Sequence, residues 1–224
     1  MKHRTSTIIA VLVAGAASIS LAAAADAQAW HYPAFQTPTI STREFNFAVA
    51  GGSDYGTSGL AQWREGVGPN THLAFDVGFA SPTEGATPLM LGGGIGQRLT
   101  RASQQMPLDM VLPAGLYGAF GSAISYLRIP VGVSVGHRFP IQGGMALTPY
   151  IAPRLSVDAC VSDCFGRGTD LNVNFDLGLD WELNPVLSLR GALTVGSVGK
   201  DIFGSKTGFG IGLAFRPESG SSRR

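Results

Sequence analysis

Lysine is nearly missing from this chain. Only three of its 224 residues are lysine, and only Lys200 and Lys206 lie beyond the first thirty. A water-facing sheet usually spreads lysines along its exposed strands and edges, so their scarcity argues against one. Charge of every kind is thin, with 14% Asp, Glu, Lys and Arg and a formal net charge of +1. That excludes an acidic disordered chain and gives a nucleic acid no clustered basic face to bind. Cysteine occurs twice, at Cys160 and Cys164, and no pair of His or Cys has metal-ligand spacing; no metal or other cofactor is expected. No helical period of 3.6 survives after residue 29. No later apolar stretch reaches about 18 residues without a Gly, Pro or charge, which excludes a transmembrane helix.

The first 29 residues are set apart. Lys2 and Arg4 precede the apolar stretch "IIAVLVAGAASISLAAAA", and "AQA" at 27–29 offers a small-x-small cleavage site. This is the pattern of a secretory signal peptide, with cleavage expected after Ala29. No cysteine lies near that site, so a lipoprotein is not expected. Without Lys2, Arg4 and Asp26 the remaining chain is formally neutral.

What the chain has in abundance is glycine, 31 residues of it, set within alternating apolar runs. In "GFGIGLAF" (208–215), Phe209, Ile211, Leu213 and Phe215 alternate with Gly208, Gly210, Gly212 and Ala214. Period-2 alternation is the mark of a strand with two unlike faces. Similar runs cover 43–51, 58–66, 71–80, 87–100, 108–120, 123–138, 145–158, 169–183, 186–196 and 207–216. Joints such as "GSDYG", "VGPN", "FPIQGG" and "NP" separate them with turn-forming residues. The pattern predicts an all-β antiparallel meander of about ten strands, with eight as the alternative. Pro113, Pro130, Pro149 and Pro153 fall in three consecutive strands, where the missing N–H groups lead us to expect bulges.

Alternation alone does not say which face is inside. Leu171, Val173, Phe175, Leu177, Leu179 and Trp181 oppose Asn172, Asn174, Asp176, Gly178 and Asp180. A soluble barrel buries the first set, and a membrane barrel buries the second. Three features favour the membrane. Glycines crowd the polar face, where a solvent-exposed strand would gain nothing from them. Lysines are missing from the strands. Trp63, Phe139, Trp181 and Phe215 fall at one end of even-numbered strands, as an aromatic girdle at one interface would.

With these patterns, above all the short "LNP" turn before "VLSLRGAL" and the aromatic last strand, residues 43 to 216 resemble the small single-chain outer-membrane barrels of Gram-negative bacteria, of the OmpA transmembrane-domain, OmpX and OmpW kind. The resemblance implies an up-and-down transmembrane β-barrel in the outer membrane. It also implies contact with membrane lipid and lipopolysaccharide, help from the barrel-assembly machinery and a monomeric state. In many such barrels the final residue is aromatic, whereas here "RPESGSSRR" follows Phe215. The expected organisation is a signal peptide at 1–29, an N-terminal periplasmic segment at 30–42, a barrel at 43–217 and a polar tail at 218–224.

By parity the inward set includes Glu44, Arg64, Asp76, Arg98, Arg128, Arg154, Asp176, Asp180 and Arg190, with Glu182 near the periplasmic mouth. Arginine suits such positions because its planar fork holds carboxylates bidentately. The expectation is a charge network that plugs the lumen, giving a structural or surface role; the alternative is a small pore whose charges set selectivity. Asp158, Asp163 and Asp170 are assigned to a solvated loop. Some small outer-membrane barrels modify lipid A with a His and a Ser, but His72 and His137 have no serine partner at a matching position. No enzymatic chemistry is expected. Cys160 and Cys164, routed through an oxidising compartment, are expected to form a disulfide at a loop tip.

Overall fold

The computed structural model describes residues 35–52, 56–81, 87–121, 125–162, 168–195 and 207–217. Ten strands follow one another: β1 (Arg43–Gly52), β2 (Gly56–Gly66), β3 (Thr71–Ser81), β4 (Leu89–Thr100), β5 (Asp109–Phe120), β6 in three consecutive segments (Ser125–Gly132, Ser134–Gly136, Phe139–Pro140), β7 (Ala146–Ser162), β8 (Thr169–Glu182), β9 (Leu187–Val195) and β10 (Thr207–Phe215). Each pairs antiparallel with the next. The last returns to the first, from Phe45↔Phe215 to Gly51↔Phe209, and closes the barrel. Eight strands are therefore excluded.

Local chemistry explains the turns. In "LNP", Asn184 Oδ1 accepts the N–H groups of Val186 and Leu187 at 2.8 Å each, which reverses the chain from β8 into β9. Between β6 and β7, Gly143 and Gly144 take φ of +85° and +79°, values that side chains disfavour.

The prolines do not cause bulges. The register of β5 on β6 is the same from Asp109↔Gly136 to Phe120↔Ser125, and β6 on β7 likewise keeps step past Pro153. The ladder simply drops rungs, as between Ala114↔Val131 and Tyr117↔Arg128, because a missing N–H removes a bond without adding a residue. True register shifts occur elsewhere, at Arg98/Thr100 and Ser125/Tyr126. The strand β7 also runs beyond its expected end at Asp158. Cys160 consequently sits in the strand opposite Tyr126 and not at a loop tip. Cys160 is disulfide-bonded; its expected partner, Cys164, lies outside the described residues.

The faces are inside out. Phe47, Phe79, Leu171 and Ile211 are each nearly three-fifths exposed, while Glu44, Arg64, Asp76 and Arg190 are 0% exposed. Phe215, Phe45, Trp63 and Phe75 lie side by side across four strands, β10 to β3, on the outer wall. Trp181 and Phe139 are exposed on the same wall further round. A testable consequence concerns Phe175, exposed at the middle of β8. Phe175→Arg should destabilise the barrel by about 2–4 kcal/mol in a bilayer, and Phe175→Leu should have little effect. Urea unfolding from phospholipid vesicles measures both, and equal stability of the two variants would mean that this wall faces water.

Candidate functional site: the barrel lumen

Inward positions build the site because β-strand parity sends every second side chain into the barrel. Five buried carboxylates (Glu44, Asp76, Asp158, Asp176 and Asp180) share the interior with the buried guanidiniums of Arg64, Arg128, Arg154 and Arg190. A fifth guanidinium, Arg216, reaches in from just beyond β10.

The largest cluster lies at the end where the chain enters β1 and leaves β10. Arg190 donates from Nη1 to Glu44 Oε1 at 2.6 Å and from Nη2 to Oε2 at 2.8 Å, a bidentate fork, and reaches Asp180 Oδ2 at 3.2 Å. Arg64 Nη1 lies 3.4 Å from the same Glu44 carboxylate. Arg216 donates from Nε to Glu44 at 2.9 Å and from Nη2 to Asp180 at 2.9 Å. One carboxylate thus holds three guanidiniums. Glu182 sits at the rim, mostly buried, and pairs at 2.6 Å with Arg138, whose own side chain is nearly half exposed.

Midway, Arg154 Nη2 donates to Asp176 Oδ1 at 2.7 Å, and Thr194 Oγ1 donates to the same oxygen at 2.7 Å. Asp76 accepts from Gln62 Nε2 at 3.0 Å. Toward the far end Arg128 forks onto Asp158 at 2.6 and 2.5 Å, with Asn172 donating to Asp158 at 2.7 Å.

The glycines of the polar face give these side chains room. A Cβ at Gly92 or Gly178 would fall inside the ring of Tyr117 or Tyr150. One at Gly210 would lie 2.8 Å from the ring of Phe35. Of the segment 30–42, residues 35–37 lie inside the barrel, and residues 30–34 are outside the described residues. Phe35, Gln36 and Thr37 are at most 5% exposed. Arg64 Nη2 donates to Phe35 O at 2.6 Å and Ser134 Oγ to Gln36 O at 2.5 Å. Gly210 pairs with Ala50, seven residues along β1 from Arg43, so this neutral peptide reaches well up the barrel. A cavity of about 10 Å³ between Met90, Tyr117, Tyr126 and Arg128 is at the limit for one water.

Two assignments change. Arg98 stands outside the buried network: it is the last residue of β4 before the register shift and clamps the β2–β3 turn, donating to Pro69 O at 2.8 Å. Asp158 belongs to the lumen and not to a loop. Asp170 is opposite it on β8, and Asp163 lies outside the described residues. Of the histidines, His72 is buried in the lumen wall, and His137 packs edge-on against Phe139 with ring centroids 4.4 Å apart. Among the described residues no group of three His, Cys, Asp or Glu is placed to hold a metal ion.

A closed antiparallel barrel with an apolar outer wall and an ion-paired interior is an outer-membrane-type β-barrel. The sequence matches no family profile. It matches no curated protein either. Among solved structures, a bacterial polysaccharide outer membrane secretin is 12% identical with a TM-score of 0.47, over 71% of this chain and 56% of that one. LpxR from Salmonella typhimurium is 9% identical with a TM-score of 0.45, over 77% of this chain and 99% of that one. Likeness at this level carries no argument for shared function.

Proposed function

We propose that this chain is a monomeric outer-membrane barrel of structural or surface role, with a lumen closed by paired charges and by the 35–41 segment. The observation that carries this reading is the filling of the lumen by buried side chains, with Glu44, Asp158, Asp176 and Asp180 each ion-paired to a guanidinium. Its partners are then the lipid and lipopolysaccharide around its apolar wall, with the barrel-assembly machinery acting during biogenesis. The reading assigns it no catalytic step, since His72 is enclosed in the lumen and His137 is engaged with Phe139 and the Pro107 carbonyl. It keeps the general likeness to small outer-membrane barrels and not the specific one to OmpA, OmpX or OmpW.

A small pore is the second reading, and one observation favours it. The segment 35–41 carries no charge, and Arg64 and Ser134 hold its carbonyls by single hydrogen bonds. Planar-bilayer recordings test both readings. The intact protein should pass no steady current, and a variant lacking 35–41 should conduct in small steps. Steady conductance by the intact protein would replace the plugged reading with the pore. Mass spectra of lipid A from expressing cells should be unchanged, and a new species would make the protein an enzyme.

A further inference from the structure

Where the chain enters β1, the guanidiniums of Arg64, Arg190 and Arg216 meet two carboxylates, Glu44 and Asp180, in direct contact. Arg190 forks onto Glu44 at 2.6 and 2.8 Å, and Arg216 bonds both carboxylates at 2.9 Å. Arg64 is left with a longer approach to Glu44, at 3.4 Å. Asp76, diagonal to Arg64 across the β2–β3 ladder, accepts from Gln62 Nε2 at 3.0 Å. The shorter bonds of Arg64 go to neutral oxygens of the 35–41 segment. Its Nη2 donates to Phe35 O at 2.6 Å and its Nη1 to Thr37 Oγ1 at 3.1 Å. Two oxygens on the two arms of one guanidinium is the arrangement that a carboxylate takes there. Arg64 Nε is also buried and has no hydrogen-bond partner. The backbone bends to make this contact: Phe35 has a φ of +60°, a left-handed conformation that bulky side chains rarely adopt and that clusters at ligand clamps. The ring of Phe35 meanwhile fills the space beside Gly210, where a Cβ would lie 2.8 Å away.

We propose that Arg64 forms a carboxylate site in the lumen, and that residues 35–37 occupy it as a tethered stand-in. The ligand class is a small carboxylate joined to an aromatic ring. Its two oxygens take the places of Phe35 O and Thr37 Oγ1, and its ring takes the place of the Phe35 ring beside Gly210. A buried guanidinium short of counter-charge is costly, so an anion at this point gains more than the neutral oxygens it replaces. Ligand and segment exclude each other, and binding requires the segment to withdraw. The inference rests on the reading above that the 35–41 segment closes the lumen; it adds what the lumen accepts when that segment gives way.

The full chain gives the first test. Thr37→Asp is close to isosteric and puts a carboxylate at the Nη1 arm, where Thr39 Oγ1 also donates at 3.2 Å. Thr37→Asn is its neutral counterpart. The urea midpoint of vesicle-embedded protein should be higher for Thr37→Asp than for Thr37→Asn, and the order should reverse in an Arg64→Met background. Thr37→Asp no more stable than Thr37→Asn, or the same order without Arg64, would overturn the site. The second test uses 3-phenylpropanoate, which joins the Phe35 ring and carbonyl carbon in one carboxylate. It should raise the midpoint of a variant lacking 35–41 to a plateau, its neutral amide should not, and Arg64→Met should abolish the gain. Equal gains from acid and amide, or a gain that survives Arg64→Met, would also overturn the site. If the shortened variant does not fold, the Thr37 comparison decides alone. Bilayer recordings report on closure separately: steady current through the intact protein would refute the plugged reading, while the Thr37 comparison, which reads no current, still judges the site.

Discussion

Replacing Glu44 with Gln should lower the stability of the folded barrel by about 3–5 kcal/mol, the range for removing one partner from a buried ion pair. The upper part of that range is expected because this carboxylate serves three guanidiniums at once, those of Arg64, Arg190 and Arg216. It also accepts Ser41 Oγ at 3.0 Å. Glutamine keeps the shape but turns one acceptor into a donor aimed at a cation. Asp180 would then be the nearest anion for both Arg190 and Arg216, while Arg64 would retain only neutral acceptors on Phe35 and Thr37. Urea titration of vesicle-embedded protein, followed by tryptophan emission, gives the loss. Adding Arg64→Met to Glu44→Gln should recover part of it, because one unpaired charge is withdrawn. A Glu44→Gln variant within about 1 kcal/mol of wild type would show the cluster to be solvated like a surface pair.

Glu44 also shows how far the sequence could be followed. Its inward position comes from parity alone: Phe45, Phe47 and Val49 must share a face, so Glu44, Asn46 and Ala48 share the other. Strand order, the sense of pairing and the two faces were legible for the same reason, since a period of two leaves no freedom once the turns are placed. What parity lacks is the level and angle of each side chain. It put Arg64 and Arg190 in the lumen but could not show that both converge on one carboxylate from opposite sides of β1.

The misses have physical causes. Asp158 is in phase with Arg154 and Ser156, and only its place at the end of the alternating run, before "ACVSDCFGRG", points to a loop. Arg216 continues the inward series of Gly208, Gly210, Gly212 and Ala214, yet it follows the last aromatic residue, where the apolar pattern stops. The 35–41 segment "FQTPTIS" has no periodicity, because it is not a strand and is held by two of its carbonyls and by the Thr37 and Ser41 hydroxyls. Its only trace was indirect: Gly210 is small where a lumen-filling group has to pass.

Arg154 and Asp176 should prove energetically coupled, and strongly so. They are diagonal neighbours on β7 and β8, since the direct partner of Arg154 is Asn174 and that of Asp176 is Ala152. Diagonal positions lie within reach of a long side chain, and the contact is 2.7 Å with both groups at most 3% exposed. The stem of Arg154 is guided by Gly132 on the neighbouring strand, where a Cβ would lie 2.7 Å from Arg154 Cγ. Arg154→Met keeps that stem and removes the charge, leaving Asp176 with Thr194 and no cation at contact distance. Asp176→Asn does the reverse. Each single change should cost about 3–5 kcal/mol, and the double change far less than their sum, because an uncharged pair of similar volume leaves no buried charge without its counterpart. The cycle, read by the same urea titrations, should give a coupling energy toward the upper part of the range of about 0.5–3 kcal/mol found for residues in one network. Additive losses would mean that water reaches both groups midway along the barrel. The lumen would then be wet at this level, and a continuous pore would become the better account of the barrel.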